Sequence, residues 1–353
     1  MIPIKNVWYM LSYAFQALHG QGYKNLSTEE FSSAADLFAA ILCRGVELQL
    51  KQGLGRAYVE QTESLTALRG RIEMSESMKT LAPQRRQMIC TYEIFSEDYT
   101  LNRIIKSTML LLLRGNIEKS RKTKIRKLLV YFSDIQETDL YSVDWHLQFN
   151  RNNQAYQMMI GICQLVVKGL LQQQKDGTVR LMEFLDEQHM HRLYEKFILE
   201  YYRTEHKELT ASASQVDWIT DDGYKEMLPI LQTDITLEKK DSILIIDAKY
   251  YESILQERYD AQTVRSANLY QIFTYVKNRQ EKETGKEVSG MLLYAGTDNG
   301  IQPDYLYSMS GNRITIRTLG LNCDFSEIAA QLDRIADDST YWMHACKQEE
   351  LQV

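Results

Sequence analysis

The sequence predicts an α+β or α/β protein of two domains, a mostly helical N-terminal half followed by a mixed sheet flanked by helices. The chain has 353 residues, which favours two domains over one. Apolar residues recur at helical spacing through most of residues 1–176, whereas short apolar runs alternate with turns in residues 177–353. The break at Lys175-Asp-Gly177 separates the two patterns, and we therefore expect domains at residues 1–176 and 177–353.

Helical periodicity dominates the first half, and one stretch that carries Tyr, Val and Thr is typical of extended structure. The predicted helices are Val7–Leu18, Ser32–Leu50, Leu101–Arg114 and Gln154–Gln173, and the extended stretch is Arg56–Thr66. After that stretch, Arg69-Gly70-Arg71-Ile72 predicts a turn that leads into a short helix.

The second half has the pattern of a mixed sheet, in which strands alternate with a crossover helix. The expected elements are the helix Gln188–His206, the strands Ala211–Thr220, Glu226–Leu237 and Ser242–Tyr251, the helix Ser266–Arg279, the strands Val288–Ala295, Tyr305–Ser308 and Arg313–Leu319, and the helix Phe325–Asp337.

Composition excludes several classes of protein. With 44% apolar and 25% charged residues the chain is not disordered, and its net charge of −6 excludes a surface coated in positive charge but not a local basic groove. The 5 cysteines are scattered and form no CxxC pair, which favours reduced thiols. Since no signal peptide and no membrane-spanning apolar run are evident, we expect a soluble cytoplasmic protein without a membrane partner.

Two carboxylates in a predicted β-hairpin carry the strongest chemical signal. Asp234 lies inside the first apolar strand, and Asp247 lies near the end of the second, after the charged turn Glu238-Lys-Lys-Asp241. Two carboxylates in adjacent apolar strands imply a shared partner, because each is costly to bury unless it is paired or binds a metal. Lys249 shares a strand face with Asp247. These groups suit a Mg²⁺ site in which the lysine stabilises charge that develops on a phosphate.

Three further residues are weaker signals on their own. Glu195 lies on the predicted helix before the hairpin, and Gln271 and Tyr275 share a face of the helix after it. The structural alternatives are a buried Asp–Lys ion pair that closes the hairpin, an ordinary solvent-facing glutamate and two surface polar residues.

The order of these residues resembles that of the PD-(D/E)xK nuclease superfamily: Glu on a helix, Asp in a strand, D-x-K at the end of the next strand and Q-x-x-x-Y on the following helix. Thr233 stands where the superfamily usually has proline. Further segments, from residue 4 to the C-terminal helix, resemble the McrC family, the nuclease subunits of McrBC modified-cytosine restriction systems. They are Ile4-Lys-Asn-Val-Trp-Tyr-Met-Leu-Ser-Tyr-Ala14, Arg69-Gly-Arg-Ile-Glu73, Asn102-Arg-Ile-Ile-Lys-Ser-Thr108, Thr233-Asp-Ile-Thr236, Ile245-Ile-Asp-Ala-Lys-Tyr-Tyr251 and Asn268-Leu-Tyr-Gln271.

The resemblance implies a Mg²⁺-dependent DNA endonuclease that defends against foreign DNA. Its expected partners are an McrB-like AAA+ GTPase ring, which the N-terminal half engages and stimulates, and double-stranded DNA that contains modified cytosine. No G-x-x-x-x-G-K-[ST] sequence occurs, so the chain itself is not expected to be the motor. The implied roles are catalysis for Asp234, Asp247, Lys249 and Glu195, metal binding for Asp234 and Asp247, and an auxiliary role for Gln271 and Tyr275.

Candidates for the contact with the ring are basic. They are Arg69 and Arg71 in the Arg-Gly-Arg turn and the stretch Lys119–Lys127, for which a local salt bridge and a solvated helix face are the alternatives. His189-Met-His191 and His344-Ala-Cys346 lack a second ligand pair at usable spacing, which argues against zinc.

Two other functions remain possible on the same fold: a DNA repair nuclease that works without a motor, and a catalytically inert adaptor. The long N-terminal half argues against the first, since a minimal nuclease does not need it. The intact Asp234, Asp247 and Lys249 argue against the second.

Overall fold

The computed structural model describes residues 2–15, 18, 23, 26, 29, 31–150, 153–174, 187–251, 256–258, 261–296, 302–338 and 342. The chain divides into two units, Phe31–Glu183 on the one hand and Met1–Glu30 together with Phe184–Val353 on the other. The predicted boundary at Lys175-Asp-Gly177 lies outside the described residues. At the N-terminus the division differs from the expected one, because the first helix belongs to the unit formed by the second half of the chain.

The helices lie close to the segments that their apolar periodicity predicts. The helix expected at Val7–Leu18 begins earlier, after Pro3, and ends at Ala14. No helix among the described residues is long and apolar enough to cross a membrane. In chain order the helices are α1 (Ile4–Ala14), α2 (Ala34–Leu50), α3 (Met74–Lys79), α4 (Thr100–Arg114), α5 (Lys119–Leu129), α6 (Gln154–Gln174), α7 (Glu187–Glu205), α8 (Ser266–Lys282) and α9 (Phe325–Asp337).

The strands depart further from expectation than the helices do. The predicted strand Ala211–Thr220 and the first predicted strand of the hairpin, Glu226–Leu237, are both interrupted. The first half also contains a strand, β3, that was not predicted from the sequence. In chain order the strands are β1 (Ala57–Leu65), β2 (Arg71–Ile72), β3 (Met88–Ser96), β4 (Thr210–Ser212), β5 (Gln215–Val216), β6 (Leu231–Gln232), β7 (Ile235–Glu238), β8 (Ser242–Lys249), β9 (Gln256–Arg258), β10 (Ala261–Thr263), β11 (Glu287–Gly296), β12 (Asp304–Met309) and β13 (Asn312–Gly320).

The unit Phe31–Glu183 combines the helices α2, α4, α5 and α6 with a three-stranded antiparallel sheet in the order β1-β3-β2. The buried Asn102 at the start of α4 fixes its neighbours. Its amide nitrogen donates to the carbonyl oxygens of Gly55 and Glu97, at 3.0 and 2.8 Å, and its amide oxygen accepts from Tyr156 at 2.8 Å. This network satisfies backbone groups that would otherwise lack partners where the chain enters β1 and leaves β3.

The other unit contains a six-stranded mixed sheet in the order β12-β13-β11-β8-β7-β4. The neighbours β8, β11 and β13 are parallel, and the outer pairings are antiparallel. Helix α8 is the crossover between β8 and β11, as the alternation of strands and helix predicts. It contributes Ile272, Tyr275 and Val276 to a buried apolar cluster with β8 residues such as Ile243 and Ile245.

Helix α1 is attached to this sheet unit by long-range contacts. The amide nitrogen of Asn6 donates to the carbonyl oxygens of Leu321 and Cys323, at 2.9 and 2.7 Å. The hydroxyl of Tyr13 donates to Glu205 at the end of α7, at 2.7 Å. These partners lie between 192 and 317 residues away along the chain, which explains why local periodicity assigned α1 to the N-terminal domain.

Gly290 in β11 allows α8 to approach the sheet, and this close approach generates a prediction. A Cβ atom there would stand 2.7 Å from Val276 and 2.8 Å from Ile272. Gly290→Ala should therefore displace α8 and lower the free energy of unfolding by about 1–3 kcal/mol, as measured by urea denaturation. Gly320→Ala in β13 is the matched control, since its Cβ would meet only Gln331, at 3.5 Å. Equal stability of the two variants would contradict this packing.

Candidate active site

The β7–β8 hairpin brings Asp234 and Asp247 together. The strands are antiparallel with Ile235 opposite Ile246, so one further step in this register puts Asp234 opposite Asp247. An oxygen of the Asp234 carboxylate also accepts a hydrogen bond of 2.9 Å from the backbone N–H of Ala248. The two carboxylates therefore lie side by side, as the spacing in the sequence predicts.

The prediction that Asp234 lies inside a strand is wrong. The chain leaves the sheet at Thr233 and Asp234, between β6 and β7. Here the N–H of Thr233 donates to the carbonyl oxygen of Ser214 at 3.0 Å, and the N–H of Ser214 donates to the Thr233 hydroxyl at 3.1 Å. The hydroxyls of Thr233 and Thr236 are 2.9 Å apart. These contacts stabilise the break, and Asp234 is free to turn its carboxylate to β8.

Lys249 links Asp247 to helix α8. Asp247 is fully buried and Lys249 is 7% exposed, and the ammonium nitrogen lies 2.9 Å from each oxygen of the Asp247 carboxylate. The same nitrogen lies 3.3 Å from the amide oxygen of Gln271, whose amide nitrogen donates to the Tyr275 hydroxyl at 2.8 Å. Gln271 and Tyr275 therefore contact the site, and the alternative that they are only surface polar residues is wrong.

Electrostatics sets the protonation of this cluster. Burial, together with the negative charges of Asp247 and Glu195, raises the pKa of Asp234 to about 8, although Lys249 and the N–H of Ala248 oppose the shift. Burial also raises the pKa of Asp247, although Lys249 opposes the shift. Burial alone would lower the pKa of Lys249, but the two carboxylates outweigh it and raise that pKa. The lysine therefore stays charged, and without a cation the carboxyl pair binds a proton near neutral pH.

Glu195 approaches the pair from helix α7. Nδ1 of His191, one turn earlier on α7, lies 2.5 Å from a carboxylate oxygen of Glu195, and both side chains are largely buried. In the sequence, His191 was a candidate only for zinc binding, and its pairing with Glu195 was missed. The spacing of four residues on one helical face could have revealed this pair. The His191 ring also lies edge-on to that of Tyr251, with centroids 6.4 Å apart.

The residues present fit a hard divalent cation for which they supply only some of the ligands. Oδ2 of Asp247 is buried and forms no hydrogen bond of good geometry with a described residue, although the Lys249 ammonium lies 2.9 Å from it. The facing Asp234 carboxylate adds a second negative oxygen donor. Among the described residues no group of three or more His, Cys, Asp and Glu side chains could hold a metal ion. Two carboxylates that face each other are a donor set of the kind Mg²⁺ uses, because that ion keeps several waters and binds substrate oxygens. His344 and Cys346 lie outside the described residues.

The Arg-Gly-Arg turn lies in the other unit. Gly70 has a φ of +68°, and a Cβ there would stand 2.3 Å from the carbonyl oxygen of Thr91. The Arg69 guanidinium lies over the Tyr92 ring at 4.3 Å. The Arg71 side chain is 74% exposed and pairs with Glu73 at 2.7 Å. Glycine suits this backbone conformation and close approach, and the contacts with Tyr92 and Glu73 orient the two exposed arginines.

The basic stretch Lys119–Lys127 lies on α5, and ion pairs with α2 neutralise part of its charge. Arg121 lies 3.8 Å from the buried Asp36, and Lys124 lies 3.0 Å from Glu47. Ile125 on the same helix is fully buried. This stretch is therefore partly a packing surface, in addition to a solvated face.

The fold and the site together define a protein with a helical unit and a mixed α/β unit that carries a buried acidic pair beside a lysine. The chain belongs to the McrBC 5-methylcytosine restriction system component family, whose model matches residues 5–295. This match confirms the resemblance to the McrC family that the sequence motifs indicate.

Two known proteins show how far the similarity extends. The chain is 29% identical over 345 residues to the type IV methyl-directed restriction enzyme EcoKMcrBC of Escherichia coli strain K12, covering 96% of this chain and 98% of the relative. Among solved structures it is similar to a chain in a refined half-complex from a tetradecameric assembly of Thermococcus gammatolerans McrB AAA+ hexamers with bound McrC. That match has a TM-score of 0.50 and 18% identity, and covers 94% of this chain and 76% of the other. It supports the fold.

The raised pKa of Asp234 predicts that Mg²⁺ binding depends on pH. Because protons and Mg²⁺ compete for the same carboxylates, apparent affinity should rise as pH increases towards about 8 and level off above it. Isothermal titration of the full chain at several pH values measures this dependence. Asp234→Asn should abolish the binding, whereas Lys240→Ala on the exposed hairpin turn should leave it intact. Affinity that falls as pH rises would contradict the site.

Proposed function

We propose that this chain is the endonuclease subunit of a GTP-dependent restriction complex specific for modified cytosine, and that it hydrolyses phosphodiester bonds of double-stranded DNA with Mg²⁺. The observation that carries the proposal is the pair formed by the half-buried Asp234 and the fully buried Asp247, with Lys249 held beside it. Membership of the McrBC family and the similarity to a restriction enzyme support the same class of activity.

The arrangement of the site supports a PD-(D/E)xK nuclease core. Glu195 on α7, the two aspartates of the hairpin and Lys249 at the end of β8 occur in the order and on the element types of that superfamily. Gln271, on the crossover helix that follows, contacts the lysine directly. An inert remnant of the fold has no need to keep this many charged groups buried together, because each is costly without a role.

Each side chain has a role in this proposal. Asp234 and Asp247 bind Mg²⁺, which when bound activates a water molecule and stabilises the charge of the phosphate. Asp247 and Gln271 orient the ammonium group of Lys249 so that its charge meets the scissile phosphate. Glu195, held by His191, accepts a hydrogen bond from the attacking water.

Substitution of the site residues tests the proposed chemistry. Asp247→Ala should abolish cutting of methylated DNA in the presence of the GTPase partner, and Lys249→Ala should reduce the rate by about 10²–10³. Glu195→Gln should have a smaller effect, because its role is to orient water. Lys240→Ala is the control on the same hairpin. The measurement is the rate of cleavage of a methylated plasmid by the assembled complex.

Assembly with the partner should survive these substitutions, since none of them lies in the unit Phe31–Glu183. Cutting by Asp247→Ala at the wild-type rate would contradict the assignment. Cutting by the wild-type chain without partner or GTP would favour a repair nuclease, and stimulation of the partner without any cutting would favour an inert adaptor.

We further propose that the unit Phe31–Glu183 engages a McrB-like AAA+ ring and stimulates GTP hydrolysis. None of the proposed catalytic residues lies in this unit, so a second role accounts for its size. The similar solved structure has McrC bound to McrB AAA+ hexamers. Within the unit, the rigid turn holds Arg69 and the exposed Arg71, two cations suited to an acidic or nucleotide-bearing surface.

Arginine substitutions in the full chain test this contact. Arg69→Ala and Arg71→Ala should lower the stimulation of the partner's GTP hydrolysis severalfold, because each removes a positioned positive charge. Lys79→Ala, an exposed charge in the same unit, should leave the stimulation unchanged. The turnover of GTP by the ring is measured with and without each variant. Full stimulation by both arginine variants would exclude this turn from the interface.

A further inference from the structure

Arg265 is a cation beside the proposed active site for which the described residues supply no anion. Its side chain is partly buried, and Nε is removed from water without a hydrogen-bond acceptor. No described carboxylate forms an ion pair with it. Its one described side-chain contact is with Tyr251, because the guanidinium carbon lies 4.3 Å from the centroid of that ring. A guanidinium held partly out of water without an acceptor is costly, and an anionic ligand would remove that cost.

The position of Arg265 is tied to the active site through α8. Arg265, Asn268 and Gln271 follow one another at steps of three residues at the start of this helix. Gln271 contacts Lys249, as described above, and Asn268 lies 3.3 Å from the Tyr251 hydroxyl and accepts its hydrogen bond. Each of the three residues thus meets a residue at or just beyond the end of β8. The line of contacts runs from the carboxylate pair outwards to Arg265.

Stacking on Tyr251 prepares Arg265 to bind a phosphate. A guanidinium on an aromatic face is held in one plane, and its N–H groups at the edge stay available for two parallel hydrogen bonds to phosphate oxygens. Lysine carries the same charge but cannot present this fork. The guanidinium of Arg265 suits a phosphodiester group of bound DNA. Its position, at the end of the contacts that run from the carboxylate pair along the start of α8, suits the same ligand.

We propose that Arg265, held by Tyr251, binds a backbone phosphate of the DNA strand adjacent to the phosphate that is cut. The proposal rests on the proposed nuclease function and adds a subsite to it. Arg265 does not touch the reacting atoms. It fixes the register of the strand so that the scissile phosphate meets Lys249 and the carboxylate pair, as phosphate contacts without base specificity do in other DNA-binding proteins.

DNA binding by the full chain without Mg²⁺ tests the subsite apart from catalysis. A labelled duplex is titrated at several salt concentrations and followed by fluorescence anisotropy. Arg265→Ala should weaken binding about tenfold and reduce the slope of log affinity against log salt by about 1, the effect of losing one phosphate contact. Tyr251→Ala should weaken binding in the same direction, and Tyr251→Phe should retain it. Lys240→Ala, which also removes one positive charge, should change neither quantity.

Arg265→Lys separates charge from geometry and serves if Arg265→Ala does not fold. The lysine variant should retain part of the salt dependence but bind DNA more weakly. Lysine lacks the two parallel N–H donors of the guanidinium and its planar contact with the Tyr251 ring. In the cutting complex, Arg265→Ala should raise KM more than it lowers kcat, whereas a general loss of structure would mainly lower kcat. Unchanged affinity and salt slope in a folded Arg265→Ala variant would overturn the subsite while leaving cleavage by wild type intact. A wild-type chain that neither binds nor cuts duplex DNA would overturn both proposals.

Discussion

The fully buried carboxylate of Asp247 is the constraint on which the sheet unit depends. A charge inside an apolar sheet is costly unless a partner compensates it, and Lys249 does so at 2.9 Å. The lysine is itself oriented by Gln271, so helix α8 has to lie close to β8. Gly290 provides the space for that approach. The packing of the helix and the chemistry of the site are therefore two consequences of one buried ion pair.

The second carboxylate changes what this ion pair can do. Asp247 with Lys249 alone would be a neutral structural pair, the alternative that the sequence leaves open. Asp234 adds a negative charge opposite it, and burial together with this repulsion raises the pKa of Asp234 to about 8. A cluster with one carboxylate in excess attracts a proton or a metal cation. This excess distinguishes a binding site from a hairpin closed by a salt bridge.

Local patterns predicted much of the fold and the core of the site. The hairpin turn from Glu238 to Asp241 and the helix α9 follow from adjacent apolar and polar residues, and both lie where the sequence places them. The strand break at Asp234 could not be predicted, because the hydroxyl contacts that stabilise it involve Ser214, which lies earlier in the chain between β4 and β5. The attachment of α1 depends on contacts of Asn6 with the C-terminal region of the chain. In each case the decisive partner is distant along the chain.

Asp234 and Asp247 are proposed to hold a divalent cation together, next to Lys249. Anomalous diffraction from crystals of the full chain grown with Mn²⁺, a substitute for Mg²⁺ with a measurable signal, tests it most directly. We expect one strong anomalous peak within coordination distance of an oxygen of each carboxylate. A crystal of a form that cuts DNA with Mn²⁺ but shows no peak between the two aspartates, or one bound by other residues alone, would contradict the account.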